Sequence, residues 1–192
     1  MAQVGRAAGD LEKALAHLIR ARRTSPDSAG VIYDFGATAM QMGLILDALP
    51  AFQKLHELHP REPAYVYALA AARLKKGELS EAEKLSRRYV ELRPADGRGH
   101  YLLGAALHLQ NRHTEAEAAL ERSLRLKADL DTEYLLGLTL YAGGNRTKAL
   151  EHFKRVVASR AEHAGAQAAL GVAYSDQGTT SKDGQLWSVR CR

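Results

Sequence analysis

A single cysteine, Cys191, stands in a chain of 192 residues, so no internal disulfide forms and no cysteine-based zinc site can be assembled. No run of about 18 apolar residues occurs, so no segment reads as a membrane-spanning helix. The opening MAQVGRAAGD lacks the apolar stretch of a secretory leader, which makes a cytoplasmic setting the expectation. Aromatic residues contribute 6% of the chain, and the dominance of Ala and Leu favours helix by propensity. No P-loop, nucleophile elbow or dinucleotide fingerprint is present. The reading is therefore of a non-enzyme, with no catalytic residue, no cofactor and no metal.

Charge of one sign is also lacking in any concentrated form. The net charge is +5, but the excess is spread thinly. Residues 29–62 even carry four acidic against two basic side chains, Asp34, Asp47, Glu57 and Glu62 against Lys54 and Arg61. No basic block with interleaved aromatics appears, so neither nucleic acid nor a membrane surface is an expected partner. The clusters Arg20–Arg23 and Lys84–Arg88 lie on helical stretches. Glu81, Glu83 and Glu91 offer the second cluster partners three or four residues away, which reads as a solvated face.

What the chain does have is a period. Ala14, Ala48, Ala82, Ala116 and Ala149 recur at steps of 34, 34, 34 and 33 residues. About five residues before each stands Gly9, Gly43, Gly77, Asn111 or Gly144, and twelve after three of them stands Pro26, Pro60 or Pro94. A fixed period in the thirties marks a stack of supersecondary units rather than one globular core. Within 29–62, Ile32, Phe35 and Ala39 keep helical spacing, and so do Ala48, Phe52 and Leu55. Gly43 between them suits a helix end, and Pro60 stops the second run. The same helix–turn–helix reading fits 63–96, 97–129 and 130–163. A small residue recurs in each first helix, at Gly36, Ala70, Gly104, Gly137 and Gly171. Mid-helix glycine costs roughly 1 kcal/mol relative to Ala, so its recurrence predicts two helices crossing too closely for a side chain.

This pattern resembles the tetratricopeptide repeat. In the repeat that starts at Ala29, that family's small eighth residue is Gly36, its small twentieth Ala48, its large twenty-fourth Phe52 and its closing proline Pro60. The resemblance covers about residues 9–178 and implies an all-α fold, a right-handed superhelical solenoid of antiparallel helix pairs. The array is read as residues 1–178. A partial unit spans 1–28, with Gly9 at its turn, four units span 29–62, 63–96, 97–129 and 130–163, and a partial last unit spans 164–178. Residues 179–192 read as an unstructured or remnant tail. The departures are Arg73 at a usually apolar position, Ser86 at a usually large one with Tyr89 to fill the gap, Pro50 near the start of a second helix, and Ala128 and Ala161 in place of proline.

The resemblance also implies a function, protein–protein interaction. The first helices of such arrays line a concave groove that holds a partner peptide. The groove positions here are Tyr33, Tyr67, Tyr101 and Tyr134, joined by Met40, Gln41, Lys75, Arg98, His108, Asp131 and Tyr141. Tyrosine offers contact area at low entropic cost together with a hydroxyl. A carboxylate clamp of the kind some members use is not expected, because Tyr33, Ala37, Tyr67, Ala71 and Ala105 occupy the comparable places. A scaffold or adaptor is the leading expectation. The alternative is a non-catalytic segment of a larger enzyme or secretion or assembly protein. Self-association through an uncapped last helix is a further expectation. His56 and His59 read as a solvated helix end rather than as a metal pair.

Overall fold

The computed structural model describes residues 2–176, and the side chains from Gly9 onward. Expectations for the tail 179–192 lie outside the described residues. These are ten α-helices with no strand among the described residues: α1 (Ala2–Thr24), α2 (Ala29–Gln41), α3 (Ile45–Leu58), α4 (Pro63–Lys76), α5 (Leu79–Leu92), α6 (Gly97–Leu109), α7 (His113–Leu126), α8 (Leu130–Ala142), α9 (Arg146–Ser159) and α10 (Ala164–Asp176). The chain divides into two compact halves, Met1–Pro94 and Ala95–Arg192.

In the first half α2 pairs with α3 and α4 with α5, while α1 packs on α2 and α3 on α4. In the second, α6 pairs with α7 and α8 with α9, α7 packs on α8, and α10 packs on α9 and α8. The sequence dictates where each pair turns. Gly43, Gly77 and Gly144 have φ of 77°, 86° and 87°, and Asn111, the non-glycine residue of the set, has φ 60°. The left-handed region costs most L-residues roughly 1–2 kcal/mol, which Gly avoids and Asn tolerates better than most. New helices are started by polar side chains in the second half. Asp96, Asp129 and Asn145 accept from the backbone N–H of Arg98, Thr132 and Lys148 at 3.0, 3.0 and 3.3 Å.

The pairs themselves close by a small-against-large fit. A Cβ on Gly36 would stand 2.7 Å from the Phe52 ring, one on Gly104 2.6 Å from Leu120, and one on Gly137 2.6 Å from the Phe153 ring. The close crossing inferred from the recurrent glycine is thus real in three repeats. In the repeat 63–96 both members are small, Ala70 and Ser86, and both are buried. Tyr89 is buried there and its ring lies 5.2 Å from that of Tyr67, which supplies the volume Ser86 lacks. The buried Ser86 hydroxyl has no hydrogen-bond partner.

Two positions depart from the sequence reading. No turn forms at Gly9, because α1 runs through it without a break. The neighbouring alanines sustain helix, and no other element lies within 4 Å of a Cβ there. Gly171 likewise has nothing within 4 Å, so the steric need seen at its counterparts is not met among the described residues. Pro50 is the sixth residue of α3, just past the first turn, and the helix continues beyond it to Leu58. Proline removes the donor to the Leu46 carbonyl, and both residues sit on the exposed side of the helix. Arg73 is accommodated by polar partners. It donates to Gln53 at 3.0 Å and forms an ion pair with Glu78. The helix ends before Ala128 and Ala161 form without proline, with Lys127 and Arg160 N–H closing on Ser123 and Val156 at 2.9 and 2.8 Å.

The glycine fit yields a direct test. Gly137→Ala drives a methyl into the Phe153 ring, which Tyr134 backs at 6.1 Å. Overpacking costs about 1–3 kcal/mol, and better helix propensity returns at most about 1 kcal/mol. Chemical denaturation should show a net loss of about 1–2 kcal/mol at Gly137 and none at Gly9→Ala, where the space is open.

Candidate functional site

The candidate residues fall on the first helices of their pairs. In the first half, α2 carries Tyr33, Met40 and Gln41, and α4 carries Tyr67 and Lys75. In the second, α6 carries Arg98, Tyr101 and His108, and α8 carries Asp131, Tyr134 and Tyr141. First helices contact one another directly, α2 with α4 and α8 with both α6 and α10. Each half therefore presents its own stretch of first-helix surface.

The tyrosines are half-buried rather than free-standing. Tyr33 lies 5.9 Å from Phe52 and 5.8 Å from Tyr65 between ring centroids. Tyr67 packs on Tyr89, and Tyr101 packs against the core of the second half. Tyr134 lies 4.7 Å from His163 and reaches over Gly165. Each ring is thus a structural member with part of its surface left open. Met40 packs on the first-half core, while Gln41 and Lys75 are exposed near helix ends.

The polar candidates are more tightly engaged than the sequence suggested. Arg98 grips Asp96, with Nη2 2.6 Å from Oδ2. Asp131 is exposed, 3.9 Å from Arg160. The Tyr141 hydroxyl donates to Asp176 on α10, and the Arg146 guanidinium lies 5.9 Å from the Tyr141 ring centroid. The bond to Asp176 holds the phenol above its ordinary pKa. His108 is joined across helices to Thr139, Nδ1 to Oγ1 at 3.1 Å. The Thr139 hydroxyl spends its one proton on the Leu135 carbonyl at 2.8 Å, so His108 Nδ1–H donates and Nε2 is the basic nitrogen. Burial, and secondly the neighbouring His113, push the His108 pKa down.

Several contributors were not visible in the sequence. Thr139 and Asp176 tie the first helices together, yet each stands more than thirty residues from its partner. Glu133 receives His152 Nδ1 at 3.0 Å and Arg155 Nη1 at 2.7 Å, binding α8 to α9. A depression of about 500 Å³ in the first half is lined by Leu15, Ile19, Arg22, Phe35 and Lys54 among others, and by none of the candidates. Arg22 stands 4.2 Å over the Phe35 ring, so that member of the basic cluster is no solvated bystander. The second cluster is the ion-paired face expected. Lys84 meets Glu81 and Arg87 meets Glu83, each at 2.7 Å, and Arg88 meets Glu91 at 2.8 Å. The helix end at His56 and His59 is solvated as read, with His59 exposed and His56 half-buried. His56 Nδ1 is buried, and the His59 ring rests 5.8 Å from Tyr65. No described helix is long and apolar enough to cross a membrane.

Helix pairs with positive-φ turns at a fixed period, closed by a small-to-large fit, define a class, the helical-repeat protein. Known proteins narrow it. A family model described as anaphase-promoting complex, cyclosome, subunit 3 matches residues 41–123, and one described as tetratricopeptide repeat matches residues 134–186. Together these matches and the similar structures support a tetratricopeptide-repeat protein, with no particular member singled out. None of the curated proteins matches it. TTC0263, a thermophilic TPR protein of Thermus thermophilus, is similar with a TM-score of 0.71 and 21% identity over 88% of this chain and 92% of its own. MamA of Desulfovibrio magneticus RS-1 gives 0.71 and 24% over 84% and 92%. YrrB, described as a TPR protein with an unusual peptide-binding site, gives 0.65 and 22% over 86% of both chains. At these identities the likeness is one of fold.

The His108 contact predicts a pH dependence with a fixed sign. A histidine pKa lowered by folding means that the unfolded chain binds the proton more readily. His108 therefore contributes its full stability above about pH 6.5, where free histidine is neutral, and loses it as pH falls below. The unfolding temperature should drop on acidification, and His108→Gln should reduce that drop. A wild-type slope unchanged by the substitution would remove His108 as its source.

Proposed function

We propose that the chain is a protein-interaction module without catalytic activity, and that an extended or helical peptide of a partner lies on the first-helix surface. Tetratricopeptide repeats generally mediate protein–protein interaction. The observation that carries the finer reading is the repeated placement of a half-buried tyrosine, one on each of α2, α4, α6 and α8, on helices that run side by side within each half. A tyrosine anchored by a neighbouring ring presents its remaining surface with little rotamer entropy left to lose, the property that makes such residues effective anchors. Lys75 and Gln41 supply exposed polar groups at the helix ends, and YrrB offers a precedent of similar fold with a peptide site.

Binding on such a surface comes from many modest contacts on a preformed scaffold. Because Tyr67 also supports Tyr89, truncation confounds binding with packing, whereas Tyr→Phe keeps the ring and removes the hydroxyl. The chain should be used as bait in a native lysate beside the double variant Tyr67→Phe/Tyr101→Phe and the variant Lys75→Glu. A partner lost or weakened about tenfold by either, at unchanged unfolding temperature, supports the first-helix site. A partner retained equally by all three places binding elsewhere on the protein.

A further inference from the structure

The two basic clusters of the first half differ in how their charges are met. On α5 each cation has an acid three or four residues away, Lys84 with Glu81, Arg87 with Glu83 and Arg88 with Glu91. The end of α1 carries Arg20, Arg22 and Arg23, and the one acid at such a spacing is Asp27, four residues after Arg23. Lys54 holds Asp27 instead, at 2.7 Å. Arg22 and Arg23 therefore have no ion pair among the described residues. Both line the depression of about 500 Å³, a volume within the range of ligand-sized clefts, roughly 300–1,000 Å³. Its apolar lining comes from Leu15 and Ile19 of α1, Phe35 of α2 and Leu44 before α3. Phe35 is buried beneath it, while Ile19 and Leu44 are 43% and 38% exposed. The neighbouring depression along α3 offers no such charge, because its Arg73 and Lys76 are both bound to Glu78.

We infer that this depression between α1, α2 and α3 is a second docking site, separate from the first-helix surface, for an acidic peptide segment of a partner protein. A bulky apolar side chain of that segment enters the trough, and a carboxylate beside it meets Arg22 and Arg23. The complementarity is of charge and of shape. Arg22 is held 4.2 Å over the Phe35 ring, which occupies a face of the guanidinium and leaves the N–H donors around its edge. A planar fork fixed in this way suits a carboxylate, which it can engage through two parallel hydrogen bonds. Arg23 is exposed at the rim and adds a cation without an internal competitor. Asp47 lines the same depression and repels acids, so the ligand's carboxylates lie toward the end of α1. The apolar surface is recessed over a buried ring, a form that takes a side chain, whereas a membrane surface is met by protruding ones.

The test is selection of peptides from a random library displayed on phage, with the full chain as target. Selected peptides are then titrated by fluorescence anisotropy against the chain and its variants. Ile19→Glu places an acid in the trough and Arg23→Glu reverses a cation at its rim. Both side chains are exposed, so the unfolding temperature should stay unchanged. Lys84→Glu makes the same change of net charge as Arg23→Glu on the paired face of α5, and Lys75→Glu marks peptides held by the first-helix surface. The expected result is a set of peptides with Asp or Glu close to Leu, Ile, Phe or Trp. Ile19→Glu and Arg23→Glu should weaken their binding about tenfold or more, and Lys84→Glu and Lys75→Glu should not. Added salt should weaken it as well. The inference is overturned if no peptide depends on Ile19 and Arg23, if the dependent peptides lack acids, or if Lys84→Glu has the same effect. Phosphatidylglycerol vesicles bound through Ile19 in place of any peptide would overturn it by assigning the patch to a membrane. A dimer split by Ile19→Glu would overturn it by assigning the patch to a second copy.

Discussion

Three of the four complete helix pairs depend on the approach of a residue without a side chain to one with a large side chain. Where Gly104 meets Leu120 or Gly137 meets Phe153, the backbone of the first helix comes close enough that a methyl group has no room. Phe153 and Leu120 are thereby almost wholly removed from water, worth roughly 1.5–3 kcal/mol each. The repeated alanines at 48, 82, 116 and 149, with no exposed surface, let the second helix lie equally close. The alternative solution, Ala70 with Ser86 and the displaced ring of Tyr89, shows that the constraint is on summed volume rather than on residue identity.

Once the pairs are set, polar contacts fix how neighbouring first helices face one another. His108 with Thr139 and Tyr141 with Asp176 both span adjacent repeats in the second half. In the first half the corresponding link is between rings, Tyr33 against Tyr65. These candidate side chains therefore also hold neighbouring first helices in place. A preformed surface of this kind loses little entropy on binding.

The tetratricopeptide assignment sets the class of behaviour without choosing the ligand. Proteins of similar fold include one described as having an unusual peptide-binding site, and the identities near 20% transfer the architecture alone. The particular residues of this chain give it a mixed-charge first-helix surface and a half-buried histidine joined to the neighbouring repeat.

The helices, their pairing and their turns were legible in the sequence because each rests on local or strictly periodic chemistry. Gly43, Gly77, Asn111 and Gly144 announce positive φ, and Gly36, Gly104 and Gly137 announce close crossings, at spacings that survive every repeat. The candidate surface was legible only as a list of positions. That Tyr67 leans on Tyr89, that Arg22 caps the Phe35 ring and that His108 donates to Thr139 are contacts between residues separated by irregular intervals, with no period to reveal them. Gly9 shows the reverse failure. The period marked it as a turn, but a turn persists only where a preceding helix has something to pack against, and α1 runs straight through. Sequence periodicity determined the repeat, since every unit solves the same steric problem. The tertiary structure alone decided which side chains are shared between repeats and which stay exposed, since that depends on neighbours brought together only by stacking.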